Sequence, residues 1–323
     1  MKKIKIFLIT LTISVAQLSC GQSQKNDEST NNSKMKKVTK EEYNSISKSV
    51  KTYSHNPTYA LRINRVSCTY EIYVNDVLVD FSFETGRSAG EQTAAFPQYI
   101  LKSGKQKIRI KAYPKAIETG KLEPVLAADA ELSVRVVHFE YGKGKPADAP
   151  QVYASKLPKL TENQPYYEWT GEFNADVPYI LKGWTSGVDL TKENHQALEK
   201  EVLNVYEAYR KAFQQKDVST IASMIYNREK EIAQAFYFVS GQEGSYDNGW
   251  EKLEKETRST IKMNPVAGYT MRFFGDGKMV SLLQTSGENR DYPAMQGETA
   301  DEENFYGLYL YRPAAGAPLE VIR

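Results

Sequence analysis

The chain has little of what chemistry usually needs. Its 323 residues include two cysteines, three histidines and three tryptophans. With so few cysteines a disulfide-stapled scaffold is excluded. The histidines, His55, His138 and His195, are far apart, and none has a His, Cys or Asp neighbour at the spacing of a local metal motif. Motifs that mark common enzymes are missing as well. There is no Gly-x-Ser-x-Gly elbow, no glycine-rich phosphate loop and no His-Glu-x-x-His pair, so the sequence names no catalytic residue, cofactor or metal. Net charge is also scarce. Lys and Arg number 42 against 40 Asp and Glu, and this balance argues against a nucleic-acid partner, which demands a basic face. No apolar run reaches the roughly 20 residues that a membrane-spanning helix requires.

What is present begins at the first residue. Lys2, Lys3 and Lys5 precede a short apolar run, Ile6 to Ala16, and Ser19-Cys20-Gly21 follow. This is the form of a secretory signal. The segment Leu18-Ser19-Cys20-Gly21 resembles the lipobox of bacterial lipoproteins, although Gln17 stands where that motif usually carries Leu. The resemblance implies cleavage behind Ser19 and a lipid anchor on Cys20. It places the protein in the cell envelope, on the outer membrane, facing the periplasm or the cell surface. Loss of residues 1–19 removes three lysines and leaves 39 basic against 40 acidic side chains. Membrane attachment is therefore expected from lipid rather than from charge, and more than one acyl chain makes it stable. With Cys20 acylated, Cys68 is left as a small buried apolar residue.

Residues 20–51 are rich in Asn, Ser, Lys and Glu and read as a disordered tether, loosely helical at its end. From residue 52 the pattern alternates. Leu61 and Ile63, then Tyr70, Ile72 and Val74, then Val77, Val79 and Phe81 mark half-buried strands, with a turn at Asn75-Asp76. Further strands are expected at residues 98–101, 107–113, 130–141, 166–173 and 179–184. Strands without intervening helices predict an antiparallel β-sandwich over residues 52–188. Residues 70–113 resemble the jelly-roll sandwiches of carbohydrate-binding modules. That resemblance implies a fold rather than a ligand.

Over residues 189–323 the pattern becomes helical and then β again. Asp189 or Thr191 opens a helix whose apolar stripe is Leu198, Val202, Val205, Tyr209 and Ala212. A short helix from Asp217, a third from Asn227 and another around Trp250 are expected. Strands at residues 269–274 and 279–284 flank Gly275-Asp276-Gly277, a hairpin signal, and residues 305–311 and 319–322 complete a small antiparallel sheet. Residues 206–225 resemble the opening helices of the family related to nuclear transport factor 2. The fold class expected is thus α+β in two domains, a sandwich followed by an α+β domain.

Two sets of residues stand out as binding candidates. Tyr167 and Trp169 point to one face of a strand, which is either part of the sandwich core or, with Trp184, an aromatic platform for a glycan or another envelope ligand. The acidic stretch 287–303, with Asp291, Glu298, Asp301 and Glu302, offers a surface for a basic protein partner or a pair of carboxylates for hydrolysis. The sequence thus favours a lipid-anchored, non-enzymatic binding module. An inhibitor that blocks a toxin or hydrolase comes second, and a hydrolase using carboxylates third.

Overall fold

The computed structural model describes residues 36–118, 120–143, 146–285 and 289–323, with the backbone of residues 3–6. Cys20 and Gly287 lie outside the described residues, as do most of the signal and the first part of the tether.

The N-terminal lobe is a sandwich of two four-stranded antiparallel sheets. Its strands are β2 (Pro57–Val66), β3 (Cys68–Val74), β4 (Val77–Ser82), β5 (Ser88–Ala95), β6 (Gly104–Pro114), β9 (Glu131–Glu140), β10 (Gln151–Lys156) and β11 (Tyr167–Ala175). The four residues Lys3–Ile6 form β1, and Ala116–Glu118 with Lys121–Leu122 make the small hairpin β7–β8. One sheet has the order β10-β9-β2-β5 and the other β11-β6-β3-β4. Period two places Leu61, Ile63, Val134 and Val136 of the first sheet against Ile72, Val74, Ile108 and Ile110 of the second. The β3–β4 hairpin turns on Asn75 and Asp76, both at positive φ, as a two-residue turn matched to strand twist requires. Cys68 is fully buried, and burial pushes its thiol up to about 11.

The C-terminal lobe carries α2 (His195–Gln215), α3 (Val218–Ala235) and α4 (Gly249–Ser259). Then come β12 (Lys262–Met263), β13 (Tyr269–Phe274), β14 (Met279–Gln284), β15 (Met295–Glu298), β16 (Glu302–Tyr306), β17 (Leu310–Tyr311) and β18 (Glu320–Val321). The strands form two sheets, β13-β14-β17-β18 and β1-β16-β15-β12. Asn194 caps α2 by accepting the Ala197 N–H at 2.9 Å, while Asp189 caps the single 3-10 turn before it. The helices expected from Asp217 and Asn227 are one continuous α3. No Gly or Pro interrupts the run, and Asn inside a helix is a weak former rather than a breaker.

The α+β fold class holds, with the sandwich first and helices with small antiparallel sheets after it. The lobes are stacked rather than strung. Strand β14 is buried on both faces: Met279 and Leu283 join the sandwich core, and Val280 and Leu282 join the helical core. The sheet β13-β14-β17-β18 is therefore a shared wall between the sandwich and the helices. Strand β3 is likewise buried along its whole length, because this wall covers its outer face.

Three segments differ from expectation for identifiable reasons. Residues 98–101 are not a strand: Pro97 lacks an N–H for a ladder and instead starts the 3-10 turn Pro97–Tyr99. Residues 179–184 run without regular structure, bonded to the rest through single contacts such as Leu181 N–H to the Leu101 carbonyl at 2.8 Å. Residues 36–51 are folded, so the tether does not reach residue 51. The helix α1 (Lys40–Asn44) is held by a capping box of Thr39 and Glu42, and Tyr43 and Ile46 enter the helical core. The C-terminal lobe thus takes in chain from both sides of the sandwich.

This split generates a prediction. Tyr43→Ala should cost about 3 kcal/mol, as aromatic truncations in cores do, and a chain beginning at Thr52 should lose more. Thermal denaturation followed by circular dichroism measures both, and unchanged melting of the shortened chain would show that α1 is not part of the core.

Candidate functional site at the seam between the lobes

The seam is built where β3 and β13 face each other. Glu71 and Tyr73 alternate outward from β3 and meet Arg272 of β13. The Glu71 carboxylate accepts from the hydroxyls of Tyr73 and Tyr113, each at 2.8 Å, and faces Arg272 Nη1 at 3.4 Å. Arg272 also donates to Tyr73 Oη at 2.6 Å and to Asp291 Oδ1 at 2.8 Å. Glu71 is 3% exposed, and a carboxylate so placed survives only with partners of this quality. Asp291 sits in the left-handed region, φ 66°, with Arg290 on its second oxygen at 3.4 Å. Burial pushes its carboxyl up while Arg272 pulls it down, and burial prevails. Burial also works against the charge of Arg272, but Tyr73, Glu71 and Asp291 outweigh it and raise its pKa.

Beside this cluster two hairpin turns meet tip to tip. The Asp76 carbonyl accepts from Gly275 N–H and its carboxylate from Asp276 N–H, both at 3.0 Å. Arg109 closes the other side of Asp76 at 2.8 Å. Gly275 has φ 61°, and a Cβ there would stand 2.5 Å from Trp184 Nε1. Only glycine fits between that turn and the indole.

A band of half-buried rings runs along the outside of the seam. Tyr292 meets Phe81 at 5.1 Å between centroids, and Phe81 meets Phe83 at 6.4 Å. Phe83 meets Tyr113 at 5.7 Å, and Tyr113 meets Tyr166 at 6.0 Å. Tyr166 is 48% exposed. The next residue, Tyr167, points to the other side of β11 and pairs with Trp169 at 5.8 Å and 44°. The indole N–H of Trp169 donates to Ser155 Oγ at 3.0 Å.

The residues singled out in the sequence therefore separate. Tyr167 and Trp169 are half-buried together at the sandwich edge. Trp184 is not with them: it is 3% exposed, beneath Gly275 and with the Arg323 guanidinium 5.2 Å from its ring, and has no face for a ligand. Asp291 is also buried, in the seam. Glu298 and Glu302 belong to a hairpin of β15 and β16, not to an open loop. Asp301 lies at its exposed tip, and Glu298 pairs with Lys262 at 3.3 Å. Asp291 bonds Arg272 in the seam, and Glu298 lies on the β15–β16 hairpin against Lys262. Glu71, Tyr73, Tyr113 and Arg272 carry no motif that marks them as a site in the sequence. Their signal was a single charge inside a run of apolar and aromatic residues, Tyr70-Glu71-Ile72 and Met271-Arg272-Phe273.

Two other carboxyl groups, Asp80 and Glu256, are shifted upward. Burial, with Glu84 adding to it and Tyr70 opposing it, raises Asp80 to about 6. Burial raises Glu256 to about 7, against the pull of Arg228 and with the push of Glu229. Among the described residues, no group of three or more His, Cys, Asp or Glu is arranged to hold a metal ion, and no helix is long and apolar enough to cross a membrane.

Two outcomes are expected. Arg272→Met leaves Glu71 buried without its cation and Asp291 with Arg290 alone, and should cost about 3–5 kcal/mol. Adding Glu71→Gln to it should recover part of that loss. For pH the sign follows from linkage. Asp80 and Glu256 bind protons more tightly when folded, so the stability they carry is complete below about pH 4 and lost as pH rises through 6 and 7. The melting temperature should fall between pH 5 and pH 8, and Glu256→Gln should flatten the fall. A melting temperature that rises over this interval would contradict the assignment.

No protein family, curated protein or solved structure matches the chain, and its site is known through the residues that build it.

Proposed function

We propose that the chain is a lipid-anchored protein of the cell envelope, on the outer membrane, that binds a glycan or another extended envelope ligand and carries out no reaction of its own. The likeness of Leu18-Ser19-Cys20-Gly21 to a lipobox supports the anchor. The binding role is carried by one observation, the band of rings from Tyr292 through Phe81, Phe83 and Tyr113 to Tyr166, with Tyr167 and Trp169 around the edge of β11. Flat apolar rings with polar tips suit sugar faces and wet protein contacts alike. The seam beneath them is made of groups already bonded to one another, which keeps the rings in fixed positions.

A second reading is a lipid-anchored inhibitor of a basic toxin or hydrolase. The β15–β16 hairpin favours it, since Glu298, Asp301 and Glu302 lie within five residues around one tight turn. In that reading a partner captured from envelope extract would be a basic protein lost on Asp301→Lys.

Labelling with a fatty acid should mark the wild-type chain and not Cys20→Ser. For the mature chain, Tyr166→Ala or Trp169→Ala should weaken binding to an envelope glycan array roughly fivefold to tenfold per ring. Equal glycan binding by both variants, or no glycan binding by the wild type, would remove the aromatic band as the contact.

A further inference from the structure

If Cys20 is acylated, as the reading above holds and this inference assumes for placement only, residues 21–35 alone separate the lipid from Lys36. Fifteen residues reach at most about 50 Å even when fully extended, so the surface formed by residues 36–51 stays near the bilayer.

That surface is basic. Between Lys36 and Lys51 stand Lys36, Lys37, Lys40, Lys48 and Lys51 against Glu41 and Glu42, and all five lysines are exposed. The remainder of the mature chain carries 34 basic against 38 acidic side chains, so the near-neutral total conceals a positive collar. Lys36 pairs with Glu42 and Lys40 with Glu251, each at 2.7 Å. Among the described residues Lys37, Lys48 and Lys51 have no carboxylate at ion-pair distance. The basic row on β6 is different, because Lys105, Arg109 and Lys111 face Glu172, Asp76 and Glu168.

The collar is also fixed in place. Tyr43 and Ile46 anchor it in the helical core, and the Lys51 N–H donates to Gln234 Oε1 at 2.9 Å. Lys40 and Lys48 line one shallow cleft together with Glu41, Ser240 and Asp247. The Asp247 carboxylate accepts from the Gly241 N–H, Ser240 and Ser245, and Lys48 adds a weaker attraction through space to the forces that lower its pKa. The positive charges are held as a surface rather than averaged over a moving tail.

We infer that the Lys36–Lys51 collar docks on anionic phospholipid headgroups and sets the orientation of the folded body on the membrane. The attraction acts within a Debye length, about 8 Å at physiological salt, and each lysine near an anionic surface strengthens it roughly fivefold.

The test uses the mature chain, residues 20–323, with Cys20→Ser so that no acyl group contributes. It is sedimented with vesicles of phosphatidylglycerol and phosphatidylcholine, or of phosphatidylcholine alone. The expected result is binding to the anionic vesicles only, released by raised salt. Lys37→Gln, Lys48→Gln and Lys51→Gln together should weaken it at least tenfold. A control triple of exposed lysines elsewhere, Lys121→Gln, Lys159→Gln and Lys200→Gln, should leave it unchanged. No binding to anionic vesicles, equal binding to neutral ones, or equal loss with the control triple would overturn the inference. Failure of Cys20 labelling with this pattern intact would count against the anchor alone.

Discussion

Arg272 is the group on which the arrangement of the two lobes depends. A guanidinium carried into the contact between two sheets requires acceptors in fixed directions, and the sandwich supplies them as Glu71 and Tyr73. Glu71 in turn requires donors, which come from its own sheet as Tyr73 and Tyr113. Neither charge is tolerable without the other, since a buried ion that loses its partner costs several kcal/mol. The docking is therefore specific in register: a shift of one residue along β3 would replace Glu71 with an apolar side chain. The paired turns at Asp76 and Gly275 fix the same register from a second point.

The same constraint accounts for the tyrosine content. Where two lobes meet, backbone carbonyls at strand ends need donors, and a ring with a hydroxyl tip fills space and provides one. Tyr237 donates across the lobes to the Pro57 carbonyl at 3.1 Å, and Tyr179 donates within the sandwich lobe to the Pro97 carbonyl at 3.1 Å. Tyr206 does the same inside the C-terminal lobe, donating to the Leu308 carbonyl at 2.8 Å and accepting from Leu282 N–H at 3.0 Å. Many of the 22 tyrosines serve the contacts that make one body of two lobes, and the outer band is the part of that investment left half open to solvent.

Legibility in the sequence followed burial. Both hairpin turns, the long helix α2 and the strands of the sandwich centre could be read, because their periodicity is set by one buried face. Strands β5 and β10 could not: Ser88–Ala95 and Gln151–Lys156 are edge strands of small and polar residues, ordered by their neighbours rather than by propensity. Glu71 could not be placed either, because alternation on β3 marks it as solvent-facing, and only the second lobe makes that face interior. Trp184 misled for the reason that makes it useful, since a large ring beside glycines looks like a platform and here is a wedge under a turn. Pairs such as Glu71 and Arg272 are about 200 residues apart and have no local pattern.

Calorimetry of the mature chain tests most directly whether the seam joins the lobes into one cooperative unit. A single transition, with calorimetric and van't Hoff enthalpies equal, is what shared burial of β3 and β14 predicts. Two resolved transitions, one for the sandwich and one for the helical lobe, would contradict it.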